Sequence, residues 1–344
     1  MSEEFKTEEE ISEEFIERKK RPRWRRFAFG FWILFLIIIL VGVGGALIYK
    51  TGFTFSQITV NLKNNAGLLP LSSSEKDPDR LNILLLGLRG ENDPNGGLLT
   101  DTMMVASIKK STGQVALISV PRDLYVQMPA SDQKEKINSA YALGEEKKYG
   151  GGGLVYSKAV ISEITGLYID WTASVNFEAF KELVEALGGI YVYLDKPFEE
   201  KIQFANEIQL SLPAGWNFLD GDKALYYVRS RYSTSDFDRM RRQQQSLIAI
   251  KEKALSLGIL TNPLKIFNLL SILGKNVRTD MQMENIQELL ALYPHLKTDQ
   301  IKKRVFDSSP EGLLYSDQSN GIYTLLPIGG DFSNIQAACK NIFQ

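Results

Sequence analysis

The sequence predicts an α/β layered domain carried on an N-terminal transmembrane helix, and three observations predict it. Residues 27 to 49 read FAFGFWILFLIIILVGVGGALIY without a charge. After Asp79 short apolar runs of strand length alternate with longer segments of helical periodicity, the texture of strands layered with helices. No internal repeat interrupts this alternation, and with 344 residues, 44% apolar and 24% charged, the chain is long enough to bury a full core.

Residues 1–26 form a cytoplasmic tail. Its glutamate-rich part, Glu3 to Glu17, lacks an apolar stripe and reads as a solvated segment. Residues 27–49 suffice for a helix across a hydrocarbon core of about 30 Å. Arg18, Lys19, Lys20, Arg21, Arg23, Arg25 and Arg26 precede it and Lys50 follows nearly alone, so the positive-inside rule directs the rest of the chain outward. The expected location is the cell membrane, single-pass type II, with the large domain extracytoplasmic. Residues 50–79 read as an extracytoplasmic tether with one short strand near Ile58 to Leu62, and residues 80–344 as one domain.

Within that domain, Asn82 to Leu86 runs apolar into Gly87, which predicts a strand buried on both faces, and Thr102 to Ile108 and Val115 to Val120 follow suit. Phe177, Phe180, Val184 and Leu187 recur at helical spacing behind a capping Asn176. Gly188-Gly189 ends that helix before a strand at Ile190 to Leu194, and core packing accounts for its aromatics. A long helix is predicted from Phe237 to Leu257 with Gly258 behind it. A Pro263-led helix to Leu273, a helix from Met283 to Leu292 and a strand from Gln300 to Phe306 complete the series. The run Gly150 to Gly153 reads as a mobile loop or helix lead-in, since no lysine-serine pair follows it as in a phosphate cradle.

Composition excludes several kinds of chemistry. A formal net charge of -1 offers no global attraction for nucleic acid, and the short cytoplasmic tail has no helix-turn-helix pattern. Cys339 is the only cysteine, so no disulfide forms within the chain, and it reads as an inert structural thiol. The sole histidine, His295, sits in a surface-like Tyr-Pro-His-Leu run, a poor base for a serine or cysteine nucleophile.

What remains is arginine. Val120-Pro121-Arg122-Asp123 follows a buried strand, whose carboxyl end is where α/β sheets bind ligands. Val228-Arg229-Ser230-Arg231 and Asp236-Phe237-Asp238-Arg239-Met240-Arg241-Arg242-Gln243 supply the rest. On the long helix Asp236, Arg239, Arg242 and Gln243 share a face while Arg241 points elsewhere. Converging guanidiniums repel one another unless an anion with several oxygens neutralises them, and pyrophosphate meets that need. Surface salt bridges with Asp123, Asp236 and Asp238 are the plainer alternative.

Taken in order, these segments resemble the LytR-CpsA-Psr family of cell-wall glycopolymer transferases. Further points of likeness are Asn82 to Gly87, Thr100 to Met104, Ile118 to Asp123, Lys136 to Tyr141, Leu187 to Ile190, Asp220 to Leu225 and Arg242 to Gln244. The resemblance implies a three-layer α/β/α sandwich around a central mixed sheet, with a cleft for a polyprenyl-pyrophosphate head group and an apolar tunnel for its tail. It implies a Mg²⁺-dependent phosphotransferase that moves a glycopolymer from this carrier to a peptidoglycan hydroxyl and releases polyprenyl phosphate. Asp101 matches a metal-ligating aspartate, and Arg122, Arg229, Arg231 and Arg239 match pyrophosphate-binding arginines. Arg242 joins them from the same helix face, Asp236 matches an aspartate near the reacting groups and a candidate base, and Gln243 matches a polar neighbour. The catalytic set is thus Asp236, Arg122 and Arg229. Arg89 and Leu99 stand where the family usually has an aspartate and an arginine. Glu91 or Asp93 would then supply the missing hard oxygen to the metal, and Arg89 the missing guanidinium. A non-catalytic polyprenyl-phosphate-binding protein and a pyrophosphate hydrolase of the same fold are the rival readings.

Overall fold

A computed structural model of the chain describes residues 74–90, 97–146, 152–201, 210–259, 262, 265, 269, 271–272, 274–319 and 321–344. The expected transmembrane helix, the cytoplasmic tail, the strand near Ile58, most of the Pro263-led helix, and Glu91 and Asp93 lie outside the described residues. Among the described residues no helix is long and apolar enough to cross a membrane.

The first three strands are β1 (Arg80–Leu88), β2 (Thr100–Lys109) and β3 (Gln114–Ser119); the first two are a little longer than their apolar runs because the ladder extends over flanking polar residues, and the third is shifted by one residue from its run. After the short hairpin β4 (Tyr125–Gln127) and β5 (Lys134–Lys136) come α1 (Ala140–Glu146), α2 (Gly152–Thr165) and β6 (Trp171–Asn176). Gly152 and Gly153 open α2, so they act as a helix lead-in. Helix α3 (Phe177–Ala186) begins where expected, with the Asn176 side chain accepting from the Ala179 amide at 2.8 Å. Strands β7 (Ile190–Leu194), β8 (Phe198–Glu200), β9 (Leu210–Leu212) and β10 (Gly215–Leu219) lead to α4 (Gly221–Arg229) and the long α5 (Asp236–Ser256). The chain closes with β11 (Val277–Thr279), α6 (Met283–Leu292), β12 (Lys297–Val305), the hairpin β13 (Leu314–Asp317) and β14 (Thr324–Pro327), and α7 (Ser333–Lys340).

The result is a mixed α/β fold with seven α-helices among the described residues. Its six-stranded central sheet has the order β11-β6-β1-β2-β3-β12. Strand β1 is parallel to β6 and antiparallel to β2, β2 is antiparallel to β3, and β3 is parallel to β12. It follows that β1, β3, β6 and β12 all point one way, and their carboxyl ends share an edge with the start of β2. On one side Leu84, Leu86, Val105 and Ile118 pack with Leu154, Tyr156, Ile161 and Ile335 of α2 and α7. Along β1 successive side chains face opposite ways, so Leu85 and Gly87 turn to the other side, where α3, α4 and α5 lie. Helix α5 is pinned there by Gln244, whose Nε2 donates to Ser119 Oγ at 2.9 Å and to the Arg304 carbonyl at 3.1 Å.

Cys339 is buried in this core, and burial pushes its thiol up to about 12, which suits an unreactive packing residue. His295 is exposed in a single turn.

Candidate active site

A cavity of about 570 Å³ lies between the sheet edge and helices α3, α4 and α5. That volume is ordinary for a small-molecule site. One end is polar, lined by Arg89, Asp101, Arg122, Arg229, Arg231, Arg239 and Gln243. The other is apolar, with Leu85, Met104, Val175, Phe180, Leu183 and Ile250 among its walls.

Strand ends explain the polar side. Arg89 follows β1, Arg122 follows β3 and Asp101 begins β2, so the sheet direction alone brings the three to one edge. Gly87 permits this closeness, because a Cβ there would come within 2.8 Å of the Thr102 side chain. The ladder also shifts register between Gly87 and Leu88, a bulge that re-aims the residues after it. The N-terminus of α5, capped by Ser235 through the Asp238 amide at 3.0 Å, supplies Asp236 and Arg239.

Asp101 stands at the centre of the charges. Its carboxylate accepts from Arg89 Nε at 2.9 Å and from Arg122 Nη1 at 2.5 Å, while its backbone carbonyl accepts from Arg239 Nη2 at 3.1 Å. Burial works to raise this carboxyl, but the Arg122, Arg89 and Arg239 charges together outweigh it and hold the group below its ordinary value. Asp236 goes the other way. Burial raises it, Asp123 and Asp101 add to that, and Arg239 and Arg122 only partly oppose. Its Oδ1 lies 2.9 Å from Arg239 Nη1 and 3.5 Å from Arg122 Nε.

Three buried polar atoms of this neighbourhood make no hydrogen bond: Arg122 Nε, Arg239 Nε and Gln243 Oε1. Buried donors without partners are costly, and several together beside a cavity mark the place where a ligand supplies the missing atoms. Around the rim the Arg229 guanidinium lies 4.4 Å from the centre of the Phe177 ring and Arg231 lies 5.2 Å from that of Tyr232.

Of the residues picked from sequence, Arg89, Asp101, Arg122, Arg229, Arg231, Arg239 and Gln243 line the one cavity. Asp236 stands beside Arg122 and Arg239 without lining it. Arg242 departs from the expectation of a shared helix face. It turns behind the cavity, donating to the carbonyls of Tyr227 at 3.0 Å and Ser230 and to Thr234 Oγ1 at 3.2 Å. Arg241 is exposed and pairs with Asp238 and Asp307. The aromatics of α3 are a second correction. Val184 and Leu187 are core residues, and Phe180 packs against the same core as Val184 as expected, but Phe177 and Phe180 also line the cavity. Their position directly after the carboxyl end of β6 was the available signal, the same one that singles out Arg122.

Among the described residues no cluster of three or more His, Cys, Asp or Glu is arranged to hold a metal. The donor set still fits one hard divalent cation, because Mg²⁺ takes one or two carboxylates together with substrate phosphates and water. Asp101 is the carboxylate that lines the cavity.

Residues 50–341 match the LytR_cpsA_psr family. A polyisoprenyl-teichoic acid–peptidoglycan teichoic acid transferase TagU of Oceanobacillus iheyensis is 33% identical over 289 residues, covering 80% of this chain and 83% of its own. The TagU of a Bacillus cereus strain is 29% identical over 273 residues, covering 76% and 82%. A solved structure of TagT bound to LI-WTA superposes with a TM-score of 0.60 at 21% identity, covering 80% of this chain and 95% of that one. Bacillus subtilis TagV gives 0.59 at 24%, covering 77% and 98%, and both likenesses speak for the fold. On the extent of that family match and the identity to TagU, the chain belongs to the LytR_cpsA_psr family.

Proposed function

We propose that this chain is a phosphotransferase that moves a teichoic-acid-type glycopolymer from a polyprenyl-pyrophosphate carrier to a hydroxyl of peptidoglycan. The observation that carries the reading is one cavity with five guanidiniums at one end and an aliphatic and aromatic wall at the other. A diphosphate joined to a long hydrocarbon has the same two halves. The names of the TagU relatives, which act on a polyisoprenyl-linked teichoic acid and peptidoglycan, agree with it.

In this reading the acceptor hydroxyl attacks the sugar-linked phosphorus. A new O–P bond forms, the P–O bond to polyprenyl phosphate breaks, and the electron pair leaves on that phosphate. Negative charge on the phosphate oxygens is what the site must stabilise. Arg122 and Arg239, rigidly held by Asp101 and Asp236, meet the bridging and terminal oxygens, while Arg89, Arg229 and Arg231 close around them. Asp236, with its raised pKa, takes the hydroxyl proton. Mg²⁺, when bound through Asp101 and the phosphates, supplies further positive charge to the same oxygens. Glu91 and Asp93 are additional candidate donors. The expected α/β/α sandwich, anchored by the 27–49 segment as a type II membrane protein with its catalytic domain outside, completes the proposal.

One observation favours a second reading. Both Asp101 carboxylate oxygens are engaged by guanidiniums, which suits a protein that holds a lipid diphosphate without a metal and without turnover. Incubating the full-length protein in detergent with a polyprenyl-pyrophosphate oligosaccharide and peptidoglycan fragments, with and without Mg²⁺, distinguishes them. Transfer that depends on Mg²⁺ supports the transferase. Binding with no product supports the holder, and free glycan formed without peptidoglycan supports a hydrolase.

A further inference from the structure

The donor half of such a reaction enters through the cavity, yet Asp236 does not line it. Its side chain keeps 22% of its surface exposed, so it is reached from another direction. On that side lie Asp123, Lys136 and the hairpin formed by β13 and β14. The Leu325 amide donates to the Asp123 carbonyl at 2.9 Å, and Leu124 forms an isolated parallel bridge with Leu325. Tyr323 precedes this bridge by two residues, which keeps it in the neighbourhood of Asp123. Tyr323 is 41% exposed and its neighbour Ile322 60%, in a position where large apolar side chains are usually covered.

We infer that the surface formed by Tyr323, Ile322 and the exposed side of Asp236 is the acceptor subsite, taking an N-acetylhexosamine of peptidoglycan. The inference rests on the transferase reading above. Asp123 is the less accessible carboxylate at this surface: its side chain is 14% exposed and is held by Lys136 Nζ at 2.7 Å and by Arg122 Nε at 3.5 Å. Asp236 is paired with Arg239 through both carboxylate oxygens, at 2.9 and 3.1 Å, but its side chain is the more exposed of the two carboxylates, 22% against 14%, and is the one the acceptor's hydroxyl can approach. The apolar face of a sugar ring packs on the tyrosine ring while its hydroxyl reaches Asp236, a division of labour for which amphipathic aromatic side chains are suited. Burial, together with the negative charges of Asp123 and Asp236, raises the Tyr323 hydroxyl and keeps it protonated. The donor diphosphate and the acceptor sugar then approach from opposite sides of Arg122, which is where an in-line displacement needs them.

The test compares wild type, Tyr323→Ala and Tyr323→Phe in the full-length protein, with a soluble N-acetylglucosaminyl-N-acetylmuramic acid fragment as acceptor. Tyr323→Ala is expected to raise the acceptor KM about ten-fold while leaving the donor KM unchanged, and Tyr323→Phe to stay near wild type. An unchanged acceptor KM in Tyr323→Ala, or a rise in the donor KM alone, overturns the subsite. Equilibrium binding of the same fragment separates the two layers of the argument. If wild type transfers nothing but binds the fragment and Tyr323→Ala loses that binding, the transferase reading falls and the subsite stands. Fragment binding that is absent, or indifferent to Tyr323, removes the subsite whatever the transfer assay gives.

Discussion

Arg239 and Arg242 sit one turn apart on α5 and are nearly equally buried, at 3% and 7% exposure, yet they do different work. Arg242 spends all three nitrogens on the end of α4 and the loop behind it, through Tyr227, Ser230 and Thr234, and its guanidinium lies 4.7 Å from the centre of the Phe198 ring. Arg239 reaches the Asp101 carbonyl and Asp236, and its Nε has no partner. A buried arginine whose donors are closed by its own backbone holds shape. One with an open donor facing a cavity is waiting for an anion.

Breaking the first of these roles should have the larger effect. Arg122→Ala, which removes a cavity guanidinium of the same kind as Arg239, is expected to lower kcat/KM by about 10³ to 10⁵ with the fold intact, on the scale of a lost arginine finger. Near-normal turnover of a folded Arg122→Ala protein would erase the distinction between cavity and frame. Arg242→Ala should instead cost about 3 kcal/mol of stability by leaving buried carbonyls unpaired, a fall in Tm of about 6 to 12 °C, with the donor KM of the remaining folded protein little changed. A donor KM that rises while Tm holds would return Arg242 to the substrate.

The division was only partly legible in the sequence. Strand ends were readable, because Gly87 and Pro121 mark where β1 and β3 stop, and this alone places Arg89 and Arg122 on one edge. The start of α5 was readable to within one residue, expected at Phe237 and found at Asp236. Offsets along a helix resolve less. Residues three apart differ by about 60° around the axis and residues four apart by about 40°, so Arg239 and Gln243 face the cavity while the small further rotation sends Arg242 to the neighbouring loop. The hairpin of β13 and β14 escaped notice because it is short and its contact with Asp123, made by Leu325, joins segments far apart in the chain, a separation no local pattern encodes. The α3 aromatics escaped for a different reason. A cavity wall and a core use the same residues, and periodicity does not tell a filled space from an empty one.

That ambiguity gives a smaller effect to test. Phe180→Ala keeps α3 amphipathic but removes a large part of the apolar wall. Binding of polyprenyl phosphate should weaken by about 1.5 to 3 kcal/mol, roughly 10- to 150-fold, while a short-chain carrier that cannot reach Phe180 should be indifferent. Equal losses for long and short carriers would mean that Phe180 is a core residue after all.

The finest contrast is between the two carboxylates, whose environments push them apart. Asp101 is held below the ordinary value of 3.8 by the arginines around it, so it remains ionised through the weakly acidic range, and the stability it contributes is lost only as pH falls through that lowered value. Asp236 is raised above 3.8, chiefly by burial. Its folded form holds a proton that the unfolded chain has already released, so its contribution to stability shrinks as pH rises from 3.8 to the raised value. A base must be ionised to work, so kcat should climb with pH across that same window and then level off. Asp236→Asn should flatten the limb along with lowering the rate, whereas Tyr323→Phe should leave the limb in place. A limb that persists unshifted in Asp236→Asn would assign the proton to some other group and would leave Asp236 as a partner of the arginines alone.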